Sequence, residues 1–272
     1  MLFSDPLTQQ TVSDALHGAS DLTVRVFPCV DSTNRLARQA AAEGAAEGLV
    51  ILAGQQTVGR GRLGRSFFSP EGTGLYCSLV LRPALPAARA VQLTCAAAVA
   101  MCEALEECCG AAPQIKWVND IFLGGKKVCG ILTEAAFLPG TDRLDYAVLG
   151  VGLNVYPPKD GWPATLADVA GSVCGAADVR PGLRARLAAA FLRRFAVYYC
   201  GLRDGSADFL PGYRSRSLVL GRRVFLEENG VRTPAAALEI DRECRLLVQT
   251  EDGARRTLAA GEISIRPDVG RP

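Results

Sequence analysis

The sequence predicts an α+β protein: a mixed β-sheet flanked by helices over residues 1–217, then a small β-barrel over residues 218–272. Three observations predict it. Strand-like and helical runs are interspersed, with several strands close enough to form hairpins. Hydrophobic residues are 49% of the 272 and charged residues 21%, the balance of a chain that buries a sizeable core. From about Leu218 the texture changes to short apolar runs broken by turn residues, at the roughly 8 to 12 residue spacing of small barrels.

The elements follow in order. Leu22 to Phe27 alternates apolar and polar residues and reads as a strand. Asp31-Ser32-Thr33-Asn34 is a run of N-cap residues before Arg35 to Ala42, so it opens a helix. Leu49 to Ala53 is a short buried strand that runs into Gly59-Arg60-Gly61-Arg62-Leu63-Gly64-Arg65, a segment too rich in glycine for a regular element. Leu75 to Leu81 is another strand, followed by a long helix from about Pro86 to Cys109. Gln114 to Val118, Ile121 to Leu123 and Val128 to Phe137 are strand-like, with Gly124-Gly125 as a hairpin turn. Tyr146 to Val155 adds a strand that Pro157-Pro158 ends. Between Pro181 and Tyr213, Leu183, Leu187, Phe191 and Phe195 recur at helical spacing. Beyond Ser217 the breaks are Glu228-Asn229-Gly230, Asp241-Arg242-Glu243 and Asp252-Gly253.

Composition excludes several classes. A net charge of +2 lacks the broad positive field of a general nucleic-acid binder, so an anion site has to be local. The ten cysteines form no Cys-x-x-Cys pair and many lie in apolar runs, the pattern of buried thiols rather than a disulfide scaffold or metal site. MLFSDPLTQQ has neither the basic nor the apolar region of a secretory signal, so a cytoplasmic location is expected. Arg89, Glu103, Glu106 and Glu107 interrupt the Ala-rich stretch Ala87 to Cys109, which makes it a core helix rather than a membrane span.

Two segments offer chemistry. Three arginines on a backbone freed by three glycines, Gly59 to Arg65, can wrap an anion, because guanidinium groups present forked donors and glycine lets main-chain N–H groups approach. A solvated surface loop has the same composition. Lys116-Trp117-Val118-Asn119-Asp120 ends a strand with an amide and a carboxylate, and Lys127 follows across the hairpin turn. Such groups can hold a phosphate through lysine and a divalent cation through aspartate, although Asn-Asp is by itself a common turn. Ser32 and Thr33 serve equally well as N-caps. His17 is the one histidine and precedes the first strand, which argues against a histidine-based triad, and there is no P-loop.

Five ordered motifs resemble the biotin protein ligases. They are Asp31-Ser32-Thr33-Asn34; Gln56-Thr57-Val58-Gly59-Arg60-Gly61-Arg62-Leu63-Gly64-Arg65; Lys116 to Asp120; Lys127-Val128-Cys129-Gly130-Ile131-Leu132; and Gly150-Val151-Gly152-Leu153-Asn154. The tail Ala260-Gly261-Glu262-Ile263-Ser264-Ile265-Arg266 resembles the end of that family's C-terminal barrel. Val118 stands where the family usually has proline, Phe67 where tryptophan is frequent, and Glu239 where glycine is common.

The resemblance implies a biotin/lipoate ligase fold, related to class II aminoacyl-tRNA synthetases, with a barrel of the Src-homology type. It implies biotin and ATP as substrates, Mg2+, and a lysine of a biotin carboxyl carrier domain as acceptor. Ser32, Thr33, Asn34 and Gln56 would surround the ureido ring, and Gly130 and Ile131 would line the pocket. Arg60, Gly61 and Arg62 would fold over biotin and the adenylate phosphate, with Arg65 nearby. Lys116 and Lys127 would contact phosphate and carboxylate, Asn119 and Asn154 would serve the nucleotide, and Asp120 the metal. Arg62, Lys116, Asp120 and Lys127 would be the catalytic set.

A lipoate- or octanoate-protein ligase shares that architecture, but the Gly-Arg-Gly-Arg loop and Lys-Trp-x-Asn-Asp favour biotin. Intact Lys116, Asp120 and Lys127 argue against a non-catalytic biotin-binding regulator, and the short stretch before the first strand argues against a winged-helix DNA-binding domain. No membrane partner is expected, and the sequence leaves the oligomeric state open.

Overall fold

A computed structural model describes residues 5–17, 22–228, 231–259 and 264–267. A seven-stranded sheet has the order β1-β2-β3-β7-β6-β5-β4. Its strands are β1 (Thr23–Phe27), β2 (Leu49–Ala53), β3 (Gly74–Leu81), β4 (Gln114–Lys116), β5 (Asp120–Leu123), β6 (Lys126–Phe137) and β7 (Leu144–Asn154). β1 and β2 are parallel and the other pairings antiparallel, so the sheet is mixed as expected.

The two faces of the sheet are covered differently because side chains alternate along each strand. One face takes Val50, Leu52, Cys77, Leu79, Leu149 and Val151 into the main core against α3 (Ala90–Cys109) and α4 (Leu183–Asp204). The other takes Leu49, Ile51, Val80 and Val148 under α2 (Thr33–Ala42), whose inward residues Ala37 and Ala41 let it lie close. This second face also carries the candidate site. α3 is long and apolar enough to cross a membrane by length and composition, and is largely buried inside the protein.

Three elements differ from expectation. α1 (Gln9–Leu16) precedes β1. Its signal is a pair of threonines, with Thr8 Oγ1 accepting from Thr11 N and Thr11 Oγ1 accepting from Thr8 N, instead of the more legible Ser/Thr-x-x-Glu box. The helical stretch from Pro181 divides into α4 and α5 (Leu210–Ser215). β4 ends at Lys116, and Trp117 to Asn119 form a turn with a cis Trp117–Val118 peptide, so Asp120 opens β5 instead of ending β4.

The C-terminal unit is a five-stranded antiparallel sheet, β11-β10-β9-β8-β12. It comprises β8 (Arg223–Glu228), β9 (Val231–Ile240), β10 (Leu246–Thr250), β11 (Arg255–Leu258) and β12 (Ser264–Pro267). Turns fall at Asp241 to Glu243 and Asp252-Gly253, while Asn229, Gly230 and residues 260–263 of the tail motif lie outside the described residues. Its inward residues, including Val224, Ile240, Leu246 and Val248, join the main core. Leu218 N still donates to Ile115 O of β4 before the chain leaves for β8.

Candidate active site

The site begins with the cap of α2. Ser32 is extended at φ −157° and its Oγ accepts from Arg35 N, which starts the helix there. Thr33 and Asn34 therefore fall in the first turn, facing the sheet and buried. Thr33 N and Oγ1 both donate to Gln56 Oε1, at 2.9 and 3.1 Å, and Gln56 Nε2 donates to Ser69 Oγ at 2.9 Å. Ser78 Oγ, fully buried on β3, lies 2.8 Å from Thr33 Oγ1 and 2.6 Å from Asn34 Oδ1, and its one proton can go to either. Asn34 Nδ2 donates to Glu134 Oε2 at 3.0 Å. The wall is thus a network of neutral hydroxyls and amides with polar atoms fixed in direction, tied at Asn34 to the Glu134 carboxylate.

Beside this wall the sheet is floored with glycine. Gly130 of β6 pairs with Gly152 of β7, and Gly150 lies two residues along. A Cβ on Gly150 would lie 1.9 Å from Asn34 Oδ1, and one on Gly152 would lie 2.6 Å from the Phe67 ring. These glycines leave the space that Asn34 and Phe67 occupy over the sheet. Tyr76 meets Phe67 edge-on, and burial pushes its phenol up to about 12, so it stays a neutral donor to Pro70 O.

Charge collects at the far edge of the floor. Asp120 pairs across the ladder with Gly130 and hence faces the same side. Lys127 is three residues from Gly130 and would face away in a regular strand. A bulge between Ile121↔Cys129 and Phe122↔Lys127 inserts Val128, restores the parity and turns Lys127 back to the site. Its Nζ reaches Asp120 Oδ1 at 2.7 Å. Asn119 Nδ2 donates to Asp120 Oδ1 at 2.9 Å and to Ile131 O at 3.0 Å. Arg62 Nη1 donates to Asn119 Oδ1 at 2.8 Å, and burial lowers its guanidinium pKa against the opposing pull of Asp120.

The Arg/Gly loop is a narrow hairpin. Gly61 N donates to Arg65 O and Phe67 N to Gly59 O, around a turn at Arg62–Gly64. Gly64 at φ +72° meets the left-handed demand of the tip, whereas Gly59 is needed because a Cβ would lie 2.2 Å from Phe67 O. Arg60 Nη2 lies 3.2 Å from Glu134 Oε1.

The structure brings most of the expected residues together: Ser32, Thr33, Asn34 and Gln56 at the wall, and Arg62, Asn119, Asp120, Lys127 and Gly130 at the floor and edge. Ile131 is a correction. Its side chain points into the main core, since its neighbour Gly130 faces the site, and it meets Asn119 through its backbone, N–H to Asn119 O and carbonyl from Asn119 Nδ2. Lys116 shares the row of Asp120 and Gly130, with its ammonium over the Phe122 ring at 5.8 Å. Asn154 Nδ2 donates to Gly171 O, at the end of β7. Arg65 enters through its backbone carbonyl. The sequence reading missed Ser78, Ser69 and Glu134; the available signal was a polar residue inside an apolar strand, as at Ser78 and Glu134. No cluster of His, Cys, Asp and Glu able to hold a metal exists among the described residues. A cavity of about 490 Å³ lies in the C-terminal sheet against Arg223, Gln249 and Glu251, away from this chemistry.

Comparison with known proteins places this geometry. Residues 26–154 match the Biotin/lipoate A/B protein ligase family, and residues 219–266 match the Biotin protein ligase C terminal domain. A Biotin--[acetyl-CoA-carboxylase] ligase of Mycobacterium tuberculosis is 30% identical over 266 residues, covering 95% of each chain. The Bifunctional ligase/repressor BirA of Bacillus subtilis is 35% identical over 234 residues, 85% of this chain and 70% of the relative. Among solved structures, the biotin protein ligase from Aquifex aeolicus in complex with biotin and ATP has a TM-score of 0.74 at 27% identity, covering 90% of this chain and 99% of that one.

Proposed function

This chain belongs to the biotin/lipoate protein ligase family, and from that premise we infer that it is an ATP-dependent biotin–protein ligase. The reaction has two steps. The biotin carboxylate attacks the α-phosphate of ATP, giving biotinoyl-5′-AMP and pyrophosphate. The ε-amine of a lysine on a biotin carboxyl carrier domain of a carboxylase then attacks the mixed anhydride, forming an amide and releasing AMP.

The observation that carries this reading is a buried neutral wall joined by a glycine floor to a cationic edge. A ureido ring is neutral, with donors and acceptors at fixed angles, and the Thr33, Asn34 and Gln56 groups offer matching partners without the desolvation cost of a charge. The glycine floor lets Asn34 and Phe67 lie close against the sheet, where they would border a flat ring and an unbranched chain. At the other end two anions must meet, and like charge repels them. Lys127 and Arg62, with Lys116, Arg60 and Arg65 around them, would draw carboxylate and phosphate together and stabilise the charge that builds as the new bond forms. Holding the pair in line removes much of the entropic barrier. Asn119 would orient Arg62 and, with Asn154, border the nucleotide, while the backbone of Gly61 lets the loop close over the phosphate.

Mg2+ keeps most of its waters and typically takes one or two carboxylates together with substrate phosphates. Asp120 alone therefore fits a cation that arrives with ATP, and that cation would neutralise phosphate charge. Lys127 and Asn119 meanwhile fix the direction of the Asp120 carboxylate.

The test is a purified reaction with biotin, ATP, Mg2+ and a carrier domain, read by pyrophosphate release and a streptavidin blot of the carrier. Biotin-dependent release with a labelled carrier is expected, and no release with lipoate. Equal release with lipoate would move the chain to the lipoate ligases, and biotin binding with no release would make it a non-catalytic regulator.

A further inference from the structure

We propose that Glu134 is a positioning residue for the biotin pocket, holding Arg60 over its mouth and fixing it to the Asn34 wall; this rests on the reading of the site as a biotin site. Glu134 lies on β6 beyond the last residue that β5 pairs, so its side chain has no strand beside it on that edge and can serve the loop instead. Three donors from two separate segments converge on it. Asn34 Nδ2 reaches Oε2 at 3.0 Å, Arg60 Nη2 reaches Oε1 at 3.2 Å, and Arg38 Nη1 lies 3.7 Å from Oε1. The carboxylate is the better shielded partner, its side chain 18% exposed against 39% for Arg60.

The two oxygens divide the work. One holds the amide of Asn34, whose own Oδ1 is fixed by Ser78, so the carboxylate is anchored to a buried network through a rigid link. The other faces Arg60, which sits on a hairpin closed by its own backbone bonds and tied at its tip through Arg62 to Asn119. A charge-assisted contact of this kind restricts a long side chain that has several rotatable bonds. Arg60 is thereby presented in one place before any ligand arrives, and the ordering cost is met by the fold instead of by binding. Arg38, the more exposed of the two arginines, approaches the same oxygen at the longer distance.

The experiment measures biotin binding by calorimetry for the wild type, Glu134→Gln, Arg60→Ala and the double variant, with thermal melting of each. Glu134→Gln keeps a carbonyl for Asn34 and nearly the same shape, and removes the charge that holds Arg60. If Glu134 acts through Arg60, each single variant should weaken biotin binding about tenfold, and the double variant should be no weaker than Arg60→Ala alone. Wild-type affinity in Glu134→Gln, or losses that multiply in the double variant, would overturn the proposal. Binding is read without turnover, so a protein that bound biotin yet released no pyrophosphate would count against the ligase reading while the Glu134 result still decided this one.

Discussion

The wall and the edge of the site are built on opposite principles. The wall of Thr33, Asn34 and Ser78, buried, with half-buried Gln56, is built of neutral groups, and its hydrogen bonds run from α2 to β3 and the loop after β2. The edge of Arg62, Asn119, Asp120 and Lys127 is partly exposed and charged, and most of its links run between neighbouring strands and turns. A neutral ligand is best recognised where water is already excluded and polar atoms cannot turn. A reaction between anions needs cations fixed in advance where the charge will develop, at a face that the nucleotide can reach. The difference teaches that binding and chemistry are separable here, and that substitutions in the two regions should fail in different ways.

The largest expected effect tests the edge. Lys127→Ala should slow biotin-dependent pyrophosphate release by at least about a hundredfold, the size typical of one preorganised electrostatic group, while melting stays near wild type because the lysine does not build the core. Near-normal release by a folded variant would remove Lys127 from the machinery. Next, Arg62→Gly takes away the cation and its bond to Asn119, and should let the adenylate escape. A bystander protein incubated with biotin, ATP and this variant should show roughly tenfold more streptavidin signal than with wild type. If adenylate forms and the bystander stays unlabelled, retention lies elsewhere.

The wall should respond in affinity rather than rate. Ser78→Ala leaves Asn34 Oδ1 without its donor and should cost about 1–3 kcal/mol, seen as weaker biotin binding and a lower melting temperature with turnover at saturation little changed. A drop in turnover alone would erase the division between the regions. The smallest effect concerns the core face behind the floor. Cys77 is pushed up to about 12 by burial, and Cys95 and Cys129 are also raised, so their thiolates are scarce at neutral pH. Brief alkylation of the native protein at neutral pH should mark exposed Cys29 and Cys200 and spare those three, as mass spectrometry of peptides would show.

Much of the fold and site is legible in the sequence because local chemistry is written locally. The N-cap run Asp31 to Asn34 locates α2, alternation locates the strands, and the composition of Gly59 to Arg65 alone marks the loop. What stays hidden is contact across long stretches of chain. Ser78 lies 44 residues from Asn34 and Glu134 lies 100 residues from it, and nothing in either residue's own neighbourhood names that partner.

The sequence by itself determined most of the elements, the kinds of polar groups available and, through its ordered motifs, the family. Only the tertiary structure decided which way those groups face. Period-two alternation would have put Lys127 and Gly130 on opposite sides of β6; the inserted Val128 puts both over the site, and Ile131 goes to the core. The reason is that a strand's side-chain parity depends on its pairing with a neighbour, and a single unpaired residue in that ladder reverses every side chain beyond it.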